Sequence, residues 1–346
     1  MLFHPTALPS HPLSSSVLRV LPYFLVLLVI MAGALPAAAQ ETDDVDVVRV
    51  TTDLSVFPIR VRNRGRDLQV PLTESDFQLK DNDGITTSLY FAAGANRIAI
   101  VFALDESGSL RQILSQQRDA ALSLFERFGQ KSRVAVLRFS QQPTIVVPFG
   151  KDSEAARSAF DFRTRPNTRT AIFDAAESAV RMFENSNRDP SERRIVILIS
   201  DGLDNASTTK ASRIISEAQT RNVSFYTIQI PLFEPREGHL AVRGPSKGFK
   251  DLAEKTGGKY FLTADASSAL SPTKNQDLTS VFQAIEEDLR SQYVVGFYVG
   301  DKARDGRSHK VSIILKKPSA EYSVAQFGFS KTHHFAIKLP PSTTND

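Results

Sequence analysis

Short, entirely apolar runs that alternate with helical stripes are the feature that most restricts the fold of this chain. Ile98–Leu104 contains no polar residue, and Ile195–Ile199 repeats the pattern further along. Strands of a sheet that is covered on both faces need such runs, because neither set of alternating side chains meets water. Between these runs, apolar residues recur three and four positions apart, as on one face of a helix: Ile172, Ala175, Ala176, Ala179, Val180 and Phe183. The alternation of strands and helices over residues 97–290 predicts an open, doubly wound α/β domain with a mainly parallel sheet.

Residues 1–39 have the pattern of an export signal. They contain no Asp or Glu, and Arg19 is their only Arg or Lys. The apolar run Val20–Leu35 follows and leads to the small residues Ala37 and Ala39. A run this short with a small-residue site favours a cleaved signal peptide over a retained membrane anchor. The mature chain is therefore predicted to be secreted or periplasmic, without stable membrane insertion after cleavage.

Strand patterns flank the α/β domain on both sides. Leu54–Val61 is nearly alternating, and the run Val45–Val50 precedes it. After the last helical stripe, strands are indicated at Tyr293–Val299, Val311–Leu315 and Tyr322–Phe329. Because so small a β tail is not stable alone, we expect it to pack with the N-terminal strands, with the α/β domain inserted between them. The predicted division is a signal peptide at 1–39, β-rich segments at 40–96 and 291–330, the α/β domain at 97–290 and a disordered tail at 331–346.

Composition and motifs exclude several kinds of chemistry. The chain has no cysteine, which rules out disulfides, zinc–thiolate sites, iron–sulfur clusters and cysteine nucleophiles. Its net charge of +4 is small and no dense basic tract concentrates it, so no nucleic-acid partner is predicted. No P-loop motif occurs, and D-E-S-G-S stands after the first strand where a dinucleotide site needs G-x-G-x-x-G. Ser107 occupies the position at which an aspartyl phosphatase would carry its acid/base Asp. We therefore predict that the protein is not an enzyme.

Polar side chains follow the buried strands and precede the second long helix. Asp105, Ser107 and Ser109 come after one strand, Asp201 comes after another, and Thr170 precedes the helix. Ligands of open α/β sheets bind at the carboxyl ends of the strands, where these loops can converge. Oxygen donors alone suit Mg²⁺, Mn²⁺ or Ca²⁺ and disfavour zinc or copper. Hydroxyl ligands leave such an ion under-neutralised, so an acidic oxygen from a partner protein could complete its coordination.

The order of these residues resembles that of a known family. Asp105–Ser109 has the form D-x-S-x-S, and Thr170 and Asp201 follow in sequence, as in the metal-ion-dependent adhesion site of von Willebrand factor type A (vWA) domains. The segment Thr168–Ala175 is similar to the G-G-T-x-L-Y-D-A loop of the family, although Thr168 and Arg169 replace its glycines. The resemblance covers about 97–290 and implies a Rossmann-like fold. It also implies that Ser107, Ser109 and Thr170 bind the ion directly, while Asp105 and Asp201 often act through water.

The sequences next to the domain resemble one group within this family. Leu72–Phe77 before the domain and Arg290–Tyr293 after it are similar to segments of exported bacterial VWFA-related proteins. The resemblance adds architecture without naming a ligand. We thus predict an exported protein that binds an Asp or Glu carboxylate of a protein partner through Mg²⁺, or through Mn²⁺ or Ca²⁺, in adhesion or assembly.

The same residues also have simpler, purely structural interpretations. Ser109 could simply cap the following helix, and D-x-S-x-S alone is a weak motif. The nearby acids are expected to be peripheral: Asp204 a solvated turn residue, Glu106 a solvent-facing rim residue, and Asp174 a charge favourable to the start of its helix. Two other functions also stay open. One is a structural envelope module with a vestigial site and contacts through its β flanks, and the other is a metal-dependent hydrolase.

Overall fold

A computed structural model provides the structure of the chain. It describes residues 54–63, 66–67, 71–81, 89–95, 97–106, 118–128, 132–161, 169–184, 192–263, 278–298, 308–317, 320–324, 327–330 and 332–338. The predicted signal peptide at 1–39 and the expected strand Val45–Val50 lie outside these ranges. Among the residues described, no helix has the length and apolar character needed to cross a membrane.

The elements alternate in the middle of the chain and are strands on either side of it. The strands are β1 (Leu54–Asn63), β2 (Arg66–Asp67), β3 (Phe77–Asp81), β4 (Leu89–Ala93), β5 (Ile98–Asp105), β6 (Arg133–Phe139), β7 (Pro143–Gly150), β8 (Arg193–Ser200), β9 (Val223–Gln229), β10 (Phe233–Arg236), β11 (His239–Val242), β12 (Tyr260–Leu262), β13 (Gln292–Tyr298), β14 (Ser308–Leu315), β15 (Ala320–Val324), β16 (Phe327–Ser330) and β17 (Thr332–Lys338). The helices are α1 (Arg118–Glu126), α2 (Ser153–Ala159), α3 (Ile172–Arg181), α4 (Ala211–Thr220), α5 (Phe249–Glu254) and α6 (Thr279–Arg290).

The central sheet has the strand order β12-β9-β8-β5-β6-β7. All neighbouring pairs are parallel except β6 and β7, which form an antiparallel hairpin. The chain builds outward from β5 through β6 to β7, then crosses to β8 on the other side of β5. The loops after β5 and β8 therefore lead away in opposite directions, which opens a crevice at the carboxyl ends of these two strands. The predicted doubly wound α/β fold is confirmed.

The continuous apolar run of β5 divides between two faces. Ile98, Ile100, Phe102 and Leu104 lie in a core with α1, α2 and α6, whereas Ala99, Val101 and Ala103 lie in a second core with α3, α4 and α5. All eight residues of the strand are buried. The larger side chains fill one face and the smaller ones admit the helices of the other. Helices on both sheet faces thus explain why the sequence shows no polar alternation in this strand.

The strands outside the central sheet combine both ends of the described chain. One sheet has the order β16-β15-β1-β13-β4, with β2 beside β1, and a second has the order β17-β14-β3. Their apolar side chains share a separate core that includes Ile59, Phe77, Val295 and Ile313. In the same region the Leu72 N–H donates to the buried Tyr293 hydroxyl at 3.1 Å. The expected packing of N-terminal against C-terminal strands is therefore observed, and the α/β domain lies in sequence between β4 and β13.

Two expectations for the C-terminal region are wrong. Tyr322–Phe329 was expected to be one strand, but β15 and β16 are antiparallel to each other, with Tyr322 opposite Ser330. The two residues between these strands, Ala325 and Gln326, are neither glycine nor proline, and Gly328 falls inside β16. Thr332–Lys338 was expected to be disordered, but it pairs with β14. Phe335 and Ile337 alternate there with other residues, a period-2 pattern too short to stand out among its polar neighbours.

A buried carboxylate joins the α/β domain to the flanking sheet. Asp288 of α6 is almost fully buried and receives Arg60 Nη2 of β1 at 2.6 Å and Lys259 Nζ at 2.8 Å. The Tyr226 hydroxyl of β9 and the Gln292 Nε2 of β13 also donate to it, at 2.7 and 2.9 Å. Burial alone would raise the pKa of Asp288, but Arg60, Lys259 and Tyr226 hold this pKa below its usual value. One carboxyl group therefore holds groups from three strands and a loop.

We expect Asp288→Asn to lower the free energy of unfolding by about 3–5 kcal/mol, because it removes the buried counter-charge of Arg60, whose side chain is 14% exposed, and of the partly exposed Lys259. Urea denaturation followed by circular dichroism measures this loss. Since folding lowers the pKa of Asp288, its stabilising contribution is present above the ordinary carboxyl pKa and is lost as the pH falls through the folded value. The stability difference between the two proteins should therefore shrink in acid.

The control is Asp161→Asn, which removes the same charge from an exposed ion pair with Arg118. It should leave the urea midpoint almost unchanged. If the urea midpoint of Asp288→Asn were also close to that of the wild type, a structural role for the buried carboxylate would be contradicted.

Candidate metal site

Two buried carboxylates flank the crevice of the central sheet. Asp105 is the last residue of β5 and Asp201 follows β8, and these strands are parallel neighbours. Asp105 is 0% exposed and Asp201 is 9% exposed. The Ser200 hydroxyl between them donates to Asp105 Oδ2 at 2.7 Å and accepts the Gly202 N–H at 3.1 Å. The structure thus brings together two of the predicted site residues and adds Ser200, which no sequence motif had indicated.

The Asp201 carboxyl group lies in a poorly solvated environment. Burial raises its pKa above the ordinary value, although the Leu203 N–H, the charge of Arg243 and the Ser200 hydroxyl act in the opposite direction. The Leu203 N–H donates to Asp201 Oδ1 at 2.8 Å. Two carboxylates that are both removed from water favour a bound cation, because each charged form is costly without a counter-charge.

Thr170 is held at the same edge of the sheet by the loops that follow β8 and β6. Its N–H donates to Asn205 Oδ1 at 2.8 Å, and its carbonyl accepts the Asn205 N–H at 3.0 Å. The next residue, Ala171, donates its N–H to the Ser140 carbonyl after β6 at 2.7 Å. Thr170 itself is buried. Its position therefore depends on the loop after β8, which also carries Asp201.

The loop after β8 also caps helix α3 from outside. The residue before the helix, Ala171, has no side-chain oxygen to receive the free N–H groups of the first turn. Asp204 Oδ1 accepts the Ile172 N–H at 2.8 Å. Ser207 Oγ accepts the N–H groups of Phe173 and Asp174, at 2.9 and 3.1 Å. The expectation that Asp204 is a solvated turn residue is therefore wrong, since its carboxylate performs the work of a helix cap.

Asp174 of α3 accepts hydrogen bonds from the same loop after β8. It lies in the first turn of α3, as expected, and its carboxylate accepts the N–H groups of Thr208 and Thr209, at 3.1 and 2.9 Å. Burial alone would raise the pKa of Asp174, but these two N–H groups hold it below its usual value. The two segments are thus linked in both directions.

Arg169 strengthens this link at a position where the family loop carries glycine. Its Nε donates to the Asn205 carbonyl at 3.1 Å, and its Nη2 donates to the same oxygen. The substituted loop is therefore clamped to the segment after β8. We name residues 169–174 and 204–209, with their mutual hydrogen bonds, the loop clasp.

Other predicted residues differ from expectation or lie outside the described chain. Glu106 was expected to face solvent, but its side chain is only 17% exposed, with Oε1 3.4 Å from Arg138 Nε. A strand neighbour holds it there, because Arg138 of β6 lies beside the end of β5. Ser107 and Ser109 are outside the described residues, so their role as ligands stays a prediction.

A hairpin that the sequence analysis did not identify forms the rim of the site. It consists of β10 and β11, and the segment that follows β11 contacts the loop after β8. Gly202 has φ of +84°, and a Cβ there would lie 2.7 Å from Pro245 Cβ, so this position requires glycine. The Ser246 N–H donates to the Gly202 carbonyl at 2.8 Å. The signal that could have revealed the hairpin is Glu237–Gly238, a turn pair between two short apolar runs.

Ser246 lies in a G-x-S-x-G string, Gly244–Gly248, the pattern of a nucleophile elbow. The geometry is not that of a nucleophile. Ser246 follows the hairpin β10–β11 rather than a strand of the central sheet, and its Oγ accepts the Asp204 N–H at 2.8 Å. No histidine is among the hydrogen-bond partners found for Ser246 in the described residues. Its role is to fasten the hairpin to the site.

The donor set fits a hard divalent cation. Asp105, Thr170 and Asp201 offer only oxygen atoms and lie around one crevice. Within the described ranges, no group of three or more His, Cys, Asp or Glu side chains could hold a metal. The described members of the predicted set are two carboxylates and a hydroxyl, and their role as ligands stays a prediction.

Comparison with known proteins gives one family. The sequence model of the von Willebrand factor type A domain matches residues 99–276. The match begins inside β5 and ends before α6, so it contains Asp105, Thr170 and Asp201. No curated protein matches the chain.

Several solved structures are similar to the chain. The conserved hypothetical protein BatB from Bacteroides thetaiotaomicron is 19% identical with a TM-score of 0.41, over 55% of this chain and 98% of that one. Proximal thread matrix protein 1 from the mussel byssus, with a zinc-occupied MIDAS motif, is 16% identical with a TM-score of 0.43, over 60% of this chain and 49% of that one. The von Willebrand factor type A protein from Catenulispora acidiphila is 14% identical with a TM-score of 0.41, over 79% and 76%.

We expect Asn205→Ala to destabilise the loop clasp by about 1–3 kcal/mol, because the buried Thr170 N–H loses its acceptor. Amide hydrogen exchange at Thr170 and Ile172, together with urea denaturation, measures the effect.

Asn205→Asp is the matched variant, since it keeps the accepting oxygen. It should retain nearly the wild-type protection at Thr170. Equal loss of protection in both variants would show that the side-chain acceptor does not hold this loop.

Proposed function

The chain belongs to the von Willebrand factor type A domain family, whose model matches residues 99–276 of its 346, and on this premise we propose that it binds a partner protein through a divalent cation. The residues proposed to hold the ion are Asp105, Thr170 and Asp201, with Ser107 and Ser109. We propose Mg²⁺ as the ion, with Mn²⁺ and Ca²⁺ as substitutes of the same chemistry.

The observation that carries this proposal is the pair of buried carboxylates at the crevice. Asp105 ends one strand, and Asp201 follows the neighbouring parallel strand. The hydroxyl of Ser200, the residue before Asp201, donates to the Asp105 carboxylate. Burying both acids has an electrostatic cost that a cation would offset. The arrangement lies at the carboxyl ends of the strands, where α/β domains bind their ligands.

The residues of this chain would act by orientation. Ser200 fixes one oxygen of Asp105, and the loop clasp fixes Thr170. When bound, the cation would supply a Lewis-acid position for an Asp or Glu oxygen of the partner. Coordination of the ion and of a partner carboxylate breaks no covalent bond of the partner, so the proposed role is adhesion or assembly without catalysis.

A structural role without the metal is the second candidate. The flanking sheets favour it, because they possess their own apolar core, which includes Phe77, Val295 and Tyr322. In that case the partner would contact these sheets, and the crevice would be vestigial. Cation binding distinguishes the two functions.

Export is also proposed, on the evidence of residues 1–39. The single Arg19, the apolar run after it and the small residues Ala37 and Ala39 support a signal peptide cleaved before Gln40. We expect N-terminal sequencing of the protein from a bacterial envelope or culture medium to begin at Gln40. Recovery of a chain beginning at Met1 from the membrane fraction would contradict cleavage.

We expect isothermal titration calorimetry to detect one Mg²⁺ or Mn²⁺ site per chain. Asp105→Asn should weaken cation binding about tenfold or more, because the substitution removes one of the two buried charges while leaving the Ser200 contact possible. The urea midpoint, measured in EDTA, shows that the variant remains folded.

Asp161→Asn controls for the loss of one negative charge at the surface, and it should bind the cation as the wild type does. Wild-type protein that takes up no cation in this titration would overturn the metal-dependent function and favour the structural candidate.

A further inference from the structure

The hairpin β10–β11 is a short and well-defined projection at the metal site. Its turn residues Glu237 and Gly238 have φ of +51° and +81°, and Arg236 pairs with His239 across them. Two consecutive residues with positive φ are typical of a type I′ turn, whose twist matches that of the two strands. The backbone of the hairpin is therefore held in one register. We call β10, β11 and Arg243 the rim hairpin.

The rim hairpin is fastened to the residues beside Asp201. The Arg243 N–H donates to the Leu232 carbonyl at 2.7 Å, and its own carbonyl accepts Gln229 Nε2 at 3.1 Å. Two residues later, Pro245 packs against Gly202, which directly follows Asp201. Arg243 is thus fixed at its backbone, within a few residues of the contact with the site.

The side chain of Arg243 is available to a ligand. It is 54% exposed, and its nearest carboxylate is Glu234 Oε2, 3.8 Å from Nε, in an exposed ion pair of little strength. Arg236, at the end of β10, is 69% exposed and lies 3.9 Å from the same Glu234, and Lys247 is exposed as well. Burial raises the pKa of Asp201, and the positive charge of Arg243 acts against this rise, which agrees with its proximity to the site. The hairpin and the segment after it therefore carry three exposed basic side chains, of which the two arginines share one weakly bound carboxylate.

We propose that the rim hairpin binds a second acidic residue of the partner. One partner carboxylate would bind the cation, and the second would form an ion pair with Arg243. This inference rests on the proposed function. A guanidinium close to a divalent cation is repelled by it, and the nearby anions of this chain are Asp201, which the proposed ion would share, and Glu234, which pairs weakly with both Arg243 and Arg236. A partner segment with two acidic residues would add a carboxylate at the exposed guanidinium of Arg243.

The test uses the full chain, Mn²⁺, and two capped hexapeptides, Gly-Asp-Gly-Glu-Gly-Gly and Gly-Asp-Gly-Gln-Gly-Gly. Arg243→Ala removes a repelling charge, so Mn²⁺ alone should bind about two- to threefold more tightly. The same variant should lose the preference for the Glu peptide, which we expect to be about three- to fivefold in the wild type. A purely structural role would not move the two affinities in opposite directions. Mn²⁺ electron paramagnetic resonance and peptide fluorescence anisotropy measure them.

Two variants complete the design. Arg243→Lys keeps the charge and should retain most of the preference, whereas Arg213→Ala, an exposed arginine of α4, should change neither affinity. An unchanged peptide preference in Arg243→Ala would overturn the inference, as would failure of both peptides to bind at millimolar concentration. Peptide binding that persists equally in EDTA would instead overturn the metal-dependent function, while the charge preference could still be scored.

Discussion

The architecture depends on the buried charge of Asp288. This carboxylate receives Arg60 from β1, Lys259 from the loop before β12, Tyr226 from β9 and Gln292 from β13. Arg193 at the start of β8 extends the network by donating to Gln292, and its burial lowers its pKa to about 10. Such a group is stable only when all its members are present, because each would be costly to bury alone. The network therefore sets how the central sheet meets the flanking sheet, at the end of β8 opposite the metal site.

The candidate site, like the network around Asp288, is assembled from segments that are distant in sequence. The oxygen-bearing residues Asp105 and Thr170 do not hold themselves in place: Ser200 orients the first, and Asn205 holds the backbone of the second. The loop after β8 thus carries Asp201 and positions Thr170 at the same time. Arg169 adds a contact that the glycine of the family loop could not make. In this chain, the hydrogen bonds of the loop clasp hold the start of α3 against the loop after β8.

The sequence revealed those features whose physical cause is local. The apolar run of β5 and the stripe of α3 follow from burial, so the α/β fold and the places of Asp105, Thr170 and Asp201 could be predicted. The roles of Asp204 and Asn205 could not, because the N–H groups they accept lie 32 and 35 residues away in sequence. A capping rule examines only adjacent residues. The strand β17 was missed for another reason, since its pairing depends on the edge that β14 presents rather than on its own composition.

The pairing of β4 with β13 has a mechanical consequence. The chain leaves the flanking sheet after β4 and returns to it in β13, where Tyr293 lies opposite Ala93. Neighbouring strands are about 4.8 Å apart, so the two connections to the α/β domain are side by side. Tension drawn along the polypeptide from β1 to β17 would pass through the hydrogen bonds of the flanking sheets. The inserted α/β domain would lie outside the path of this force and would not be stretched.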